Sequence, residues 1–134
     1  MPLTADRNTQ YKDGERISVP VATGKKIFAG ALVAANATGF ATPGATATTL
    51  TYLGRAEQFV DNTGGADGAV SVLVRRGKAF KFKNAAGDPV TQAELGKTCW
   101  ITDDETVSKT NAGGNTQSAA GKVVGIETDG VWVE

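Results

Sequence analysis

Apolar and polar side chains alternate over short stretches through most of the chain from Arg16 onward, the period of half-buried β-strands. Ile17, Val19 and Val21 alternate with Arg16, Ser18 and Pro20. Pro20 has no amide hydrogen to donate, which predicts a strand at a sheet edge or at a bulge. Gly24-Lys25-Lys26 reads as a turn, and Ile27-Phe28 and residues 31–35 as two short strands broken at Gly30. Thr38-Gly39 and Pro43-Gly44 are turn signals, and residues 45–49 are either loop or a poorly anchored strand. Residues 50–60 read as a strand with a break near Gly54, followed by a loop over 61–68. Val70, Val72 and Val74 then share one face and Ser71, Leu73 and Arg75 the other. Beyond a bulge or bend at Gly77, Phe80 and Phe82 face one way and Lys81 and Lys83 the other.

The second half continues the pattern with one interruption. Thr91-Gln92-Ala93-Glu94 has the form of a capping box, Val90 and Leu95 stand at the staple positions, and Gly96 is placed to end a helical turn of about four to six residues. No other stretch sustains a 3.6-residue period. Residues 98–102 form a strand with Cys99 and Ile101 opposite Trp100 and Thr102, turned at Asp103-Asp104-Glu105. Residues 111–117 are a Gly/Asn loop tip, and residues 122–127 and 131–134 are strands joined at Asp129-Gly130. The prediction is an all-β fold: a small single-domain β-barrel or sandwich of eight to ten short strands over residues 16–134, with one short helical turn.

Residues 1–15 stand apart. Only Leu3 and Tyr11 are large and apolar there, too little to fold alone. The segment is either a frayed terminus or an extended N-terminal arm that orders on a partner, with Tyr11 as anchor and Arg7 and Lys12 as charge partners.

Composition agrees with the strand reading. Ala, Gly and Thr make up about two-fifths of the 134 residues, which suits short strands and many turns. The 14 basic and 14 acidic residues balance, so no general attraction to nucleic acid or an anionic membrane is expected. No run of apolar residues is long enough to cross a membrane, and the start has no signal-peptide character. The expected compartment is the cytosol or something assembled there, so the sequon Asn36-Ala37-Thr38 is not read as a glycan site.

Chemistry is sparse. The chain has no histidine, which removes histidine-based nucleophile systems and histidine-bearing zinc sites. Its single cysteine, Cys99, permits no intrachain disulfide and reads as a buried structural thiol. The loop from Asp61 to Gly68 resembles a calcium loop at first sight. Counted from Asp61, however, position 5 is Gly65 and position 12 is Val72, where a calcium loop needs oxygen ligands. Asp103, Asp104 and Glu105 are successive turn residues and point apart, which reads as a solvated turn. Arg75, Arg76, Lys78, Lys81 and Lys83 form a basic run interleaved with Phe80 and Phe82, but alternation puts the rings opposite Lys81 and Lys83, unlike a stacking platform. A basic strand meeting an acidic surface suits the run better, with Asp88, Glu94 and residues 103–105 as acids that could pair with it between subunits. The nucleophile elbow and the phosphate loop are both missing, so no enzyme activity, cofactor or metal is expected.

The order of motifs resembles tailed-bacteriophage head decoration, or capsid cement, proteins. The likeness begins with Ala5-Asp6-Arg7-Asn8-Thr9, Asp13-Gly14-Glu15, Pro20-Val21-Ala22 and Lys26-Ile27-Phe28-Ala29-Gly30-Ala31-Leu32-Val33. It continues through Leu53-Gly54-Arg55-Ala56-Glu57, the loop from Val60 to Gly68, Val74-Arg75-Arg76-Gly77 and Asp88-Pro89-Val90. Leu95-Gly96-Lys97, Cys99-Trp100, Ala120-Gly121-Lys122-Val123-Val124 and the closing Asp129-Gly130-Val131-Trp132-Val133-Glu134 complete it. The resemblance implies a structural virion protein, made in the bacterial host cytoplasm, that binds the outside of the expanded shell as a homotrimer and stabilises it. Its partner would be the major capsid protein, with neither nucleic acid nor membrane involved. Shell contact is expected from the arm, through Asp6, Arg7, Asn8 and Tyr11 first, and subunit contact from Arg75 and Arg76. The alternatives are a ligand-binding β-barrel for sugar or single-stranded nucleic acid, with Tyr11, Tyr52, Trp100 and Trp132 as its aromatics, or another virion part of the tail or baseplate.

Overall fold

A computed structural model describes residues 2–134. It is all-β, with twelve strands: β1 (Arg16–Pro20), β2 (Lys26–Ile27), β3 (Leu32–Ala35), β4 (Ala41–Pro43), β5 (Thr51–Ala56), β6 (Val60–Asp61), β7 (Ser71–Arg75), β8 (Phe80–Asn84), β9 (Thr98–Ile101), β10 (Thr106–Ser108), β11 (Ala119–Glu127) and β12 (Gly130–Val133). The count exceeds the expected eight to ten because β2 and β6 are two-residue pieces and β4 lies where Pro43-Gly44 reads as a turn.

Ten of the strands form two five-stranded units built to one plan, and β2 and β6 pair as a short antiparallel ribbon. The first is a sheet of order β1-β7-β5-β3-β4; the second is a closed barrel of order β10-β8-β12-β11-β9. Replacing β1, β7, β5, β3 and β4 by β8, β12, β11, β9 and β10 turns one order into the other. Register follows. Val19 opposes Val72 in the first unit, as Phe82 opposes Val131 in the second. A parallel seam relates β10 to β8, and the first unit meets itself at an isolated parallel bridge between Val21 and Ala41. The amides of Ala22 and Ala85 donate to the carbonyls of Ala41 and Val107, each at 2.9 Å, at matching places on the two seams.

A glycine in each unit shows why the plan constrains sequence. A β-carbon at Gly54 would stand 2.2 Å from the Arg75 carbonyl oxygen, and one at Gly121 would stand 2.4 Å from that of Glu134. Gly54 also has φ +154°, beside the register shift between β3 and β5.

Each unit has its own core. Val19, Val21, Ile27, Val33, Val72 and Val74 fill the first; Phe80, Phe82, Cys99, Ile101, Val107, Val131 and Val133 fill the second. β3 joins them: Val33 packs into the first core while its neighbours Leu32 and Ala34 pack into the second. All three are fully buried, so this strand does not alternate. The small-residue run after Gly44 is a loop tied across the junction. Thr46 donates its hydroxyl to Thr102, Ser118 donates its own to Ala47, and the Leu50 amide donates back to Ser118.

The edge position read from Pro20 holds, since β1 ends the order of its sheet. The helical turn is shorter than expected, a 3-10 turn over Gln92–Glu94. The Glu94 carboxylate accepts from the Thr91 amide at 2.8 Å, and Gly96 follows at φ +83°. Val90 is buried but Leu95 is half exposed. The last hairpin turns at Thr128-Asp129, one residue earlier than the sequence signal, because Glu127 pairs with Gly130. Gly130 is required by crowding: a β-carbon there would meet Lys81 Cγ at 2.6 Å and the Phe82 carbonyl oxygen at 2.8 Å. A second single turn, Ala112–Asn115, caps the loop before β11 through left-handed Gly113 and Gly114.

Candidate partner-binding surfaces

The arm leaves the first unit at the start of edge strand β1. Residues 2–15 are exposed throughout, Tyr11 to 98% and Leu3 to 72%; Met1 lies outside the described residues. The arm is tied down at its root alone. The Arg76 amide donates to the Glu15 carbonyl oxygen at 2.7 Å, and the Glu15 carboxylate pairs with Lys78 at 3.2 Å. Before that root, the Asp13 carboxylate accepts from the Glu15 amide and the Thr9 amide donates to Arg7. Asp6, Arg7, Asn8 and Tyr11 are brought together by sequence alone, all on this free segment.

Arg75 and Arg76 part company in space. Arg75 lies in register between Arg16 on β1 and Arg55 on β5, a row of three cations across three strands. Glu57 relieves that row. Its Oε1 accepts from Arg75 Nε at 2.5 Å and from Arg55 Nη2 at 3.0 Å, and these two bonds, Arg75 first, hold its carboxyl below the usual range. Arg55 also lies over the Phe80 ring, 5.1 Å from its centroid. Arg76 is exposed.

The rest of the basic run finds acids within the chain. Lys81 pairs with Asp129 at 2.9 Å and Lys83 with Glu105 at 2.8 Å. Phe80 and Phe82 are buried on the opposite face, as alternation predicts. Of the aromatics named for a ligand groove, Tyr52 is half buried and its hydroxyl is enclosed without a hydrogen-bond partner. Trp132 is half buried too; its Nε1 donates to Glu127 at 3.0 Å, and Lys81 stands over its ring.

The 61–68 loop uses its own polar groups internally. Buried Asn62 donates through Nδ2 to the carbonyls of Val21, Ala22 and Ala66, while Asp67 accepts from the Thr23 amide and Asp61 from Thr63. In the acidic turn, Asp103 accepts from the Glu105 amide at 2.9 Å. Asp104 is half buried, and that burial, with Asp103 beside it, pushes its carboxyl above the usual range. Cys99 is buried; its thiol faces the Gly121 carbonyl oxygen, and burial pushes its pKa up.

One surface escaped sequence reasoning. Phe28 and Phe59, side by side just beyond the Ile27–Val60 pair at one end of the β2–β6 ribbon, stack with ring centroids 5.2 Å apart and are 58% and 51% exposed. Alternation cannot reveal this: Phe28 follows buried Ile27 and reads as part of a short strand. No protein-family model, no curated protein and no solved structure matches the chain.

Proposed function

We propose that this chain is a head decoration protein that binds the outer surface of an expanded phage capsid and stabilises it. The motif order supports the reading. The observation that carries it is the arm: exposed from residue 2 to residue 15, rooted at Glu15 on an edge strand, and bearing Tyr11 free in solvent. An apolar anchor on a free polar segment gains by ordering on a partner, and an extended segment can add to a sheet edge through main-chain hydrogen bonds. Stabilisation then follows from mass action. Many copies bind the expanded shell and not its precursor, so occupancy shifts the balance toward the expanded state. In this reading the major capsid protein is the partner, the assembled unit is a homotrimer, and Arg76 is available for subunit contact while Arg75 is held by Glu57.

The test is cosedimentation with expanded, undecorated heads, using the full chain and a chain lacking residues 1–15. Saturable binding that disappears with the arm is the expected result. Binding that survives truncation moves the contact to the barrels; no binding by the folded full chain overturns the reading.

A further inference from the structure

Two phenylalanines left half in water are costly. Burying one is worth about 2 kcal/mol, and the first core closes without either ring. The second unit closes without any counterpart of the ribbon that carries them: where β5 and β7 are joined through residues 57–70, β11 and β12 are joined by a two-residue turn. The barrel plan therefore does not require this pair, and exposed aromatic surface of that kind marks a contact.

What lies beside the rings narrows the partner. Phe28, Ala29, Gly30 and Ala31 share one shallow depression with Asp104 and Glu105 of the acidic turn. Glu105 is engaged by Lys83. Asp104 forms no ion pair among the described residues, and its backbone carbonyl anchors the Leu32 amide at 2.8 Å, which fixes the turn against the ribbon's root. The ledge thus offers an aromatic floor beside a carboxylate that no described cation engages, and the Leu32–Asp104 hydrogen bond joins the two elements that carry them. The matching surface carries an apolar side chain next to a lysine or arginine.

We propose that the Phe28–Phe59 ledge is a second shell contact, separate from the arm, and that it receives a segment of the capsid protein presenting an apolar anchor beside a cation. The inference rests on the decoration reading. The aromatic pair supplies buried area, and Asp104 supplies register and salt sensitivity.

Three full-length proteins test it on expanded, undecorated heads: the unaltered chain, the double variant Phe28→Ser/Phe59→Ser, and Asp104→Asn. The double variant is expected to raise Kd about tenfold or more while its urea midpoint falls only modestly and it stays fully folded under the binding conditions, since both rings are half in water. Asp104→Asn is expected to raise Kd about threefold and to flatten its salt dependence. Binding of the double variant equal to the unaltered chain overturns the ledge and leaves the decoration reading standing. No binding by the unaltered chain overturns that reading and this one with it. A changed oligomeric state of the double variant, with head affinity per subunit unchanged, also overturns the shell contact and gives the ledge to a second copy of this chain.

Discussion

The two five-stranded units, a sheet seamed by an isolated bridge and a closed barrel, follow one plan and differ at their seams and connections. The second closes firmly: Lys83 pairs with Thr106 and Asn84 with Val107, and the Lys83 amide donates to Glu105 at 2.7 Å. In the first, the position of Lys83 is held by Pro20, which has no amide hydrogen, and closure falls to the Val21–Ala41 bridge and its neighbouring hydrogen bond. The second barrel turns from β11 to β12 in two residues; the first sends out the β2–β6 ribbon with its exposed rings. Positions where the two agree, such as Gly54 and Gly121, are set by backbone crowding. Positions where they differ include the root of the arm and the two exposed rings, the surfaces proposed above as contacts.

That equivalence can be broken at its glycines. Gly54→Ala drives a β-carbon into the Arg75 carbonyl at a φ that side chains rarely adopt, and is expected to cost about 4 kcal/mol. Gly121→Ala has the clash without the positive φ and is expected to cost about 2–3 kcal/mol. Urea unfolding ranks the pair; equal costs would show that the crowding alone matters.

Leu32→Ala tests whether the barrels stand or fall together. Leu32 belongs to a strand of the first sheet but is buried in the second core, and truncation is expected to cost about 3 kcal/mol. Both tryptophans lie in the second barrel, so their fluorescence reads that barrel while far-ultraviolet circular dichroism reads both. Coincident midpoints are expected. Separated midpoints would mean that β3 joins two independent folding units.

Tyr52→Phe works in the opposite direction. The Tyr52 hydroxyl is enclosed without a partner, so removing it is expected to raise stability by about 1 kcal/mol in the same assay. Its place on β11 is taken by Ala119, which brings no such group.

The smallest effect concerns charge. Glu57 has a folded pKa below its ordinary value, so its contribution is present above the unfolded value and is lost as pH falls through the folded one. Glu57→Gln is therefore expected to lower stability slightly at pH 7 and not at all once the wild-type carboxyl is protonated. Urea midpoints of the two proteins, followed downward from pH 7 until their difference stops changing, compare them. The second barrel, with Lys122 opposite Glu134 where the first has Arg55 opposite Arg75, has no such bridging acid to lose.

Much of this was legible in the chain. The β class follows from alternation, the edge at β1 from Pro20, and the burial of Phe80 and Phe82 from their alternation with Lys81 and Lys83. The shared plan is hard to read in the chain because the cores differ in bulk: Ile17 and Val19 of the first unit stand where Phe80 and Phe82 stand in the second. Its local traces are the match of Gly54-Arg55-Ala56 to Gly121-Lys122-Val123, a glycine, a cation and a small apolar residue, and of Val72-Leu73-Val74 to Val131-Trp132-Val133. β4 was hidden because Ala41-Thr42-Pro43 is a strand only by pairing with β3. The ledge was illegible for a deeper reason. Whether an aromatic next to a buried isoleucine points in or out depends on which strand end it occupies, and that is settled by distant chain.

Pro20 also fixes how the molecule carries mechanical load. A pull on the arm enters through Glu15 and β1, and β1 is gripped on one flank by its five pairs with β7. On its other flank the seam holds only the Val21–Ala41 bridge and the neighbouring Ala22–Ala41 hydrogen bond. Tension from an anchored arm is thus passed mainly into β7, and through Arg75 and Glu57 to β5, while the β1–β4 seam is the line along which the first unit would gape.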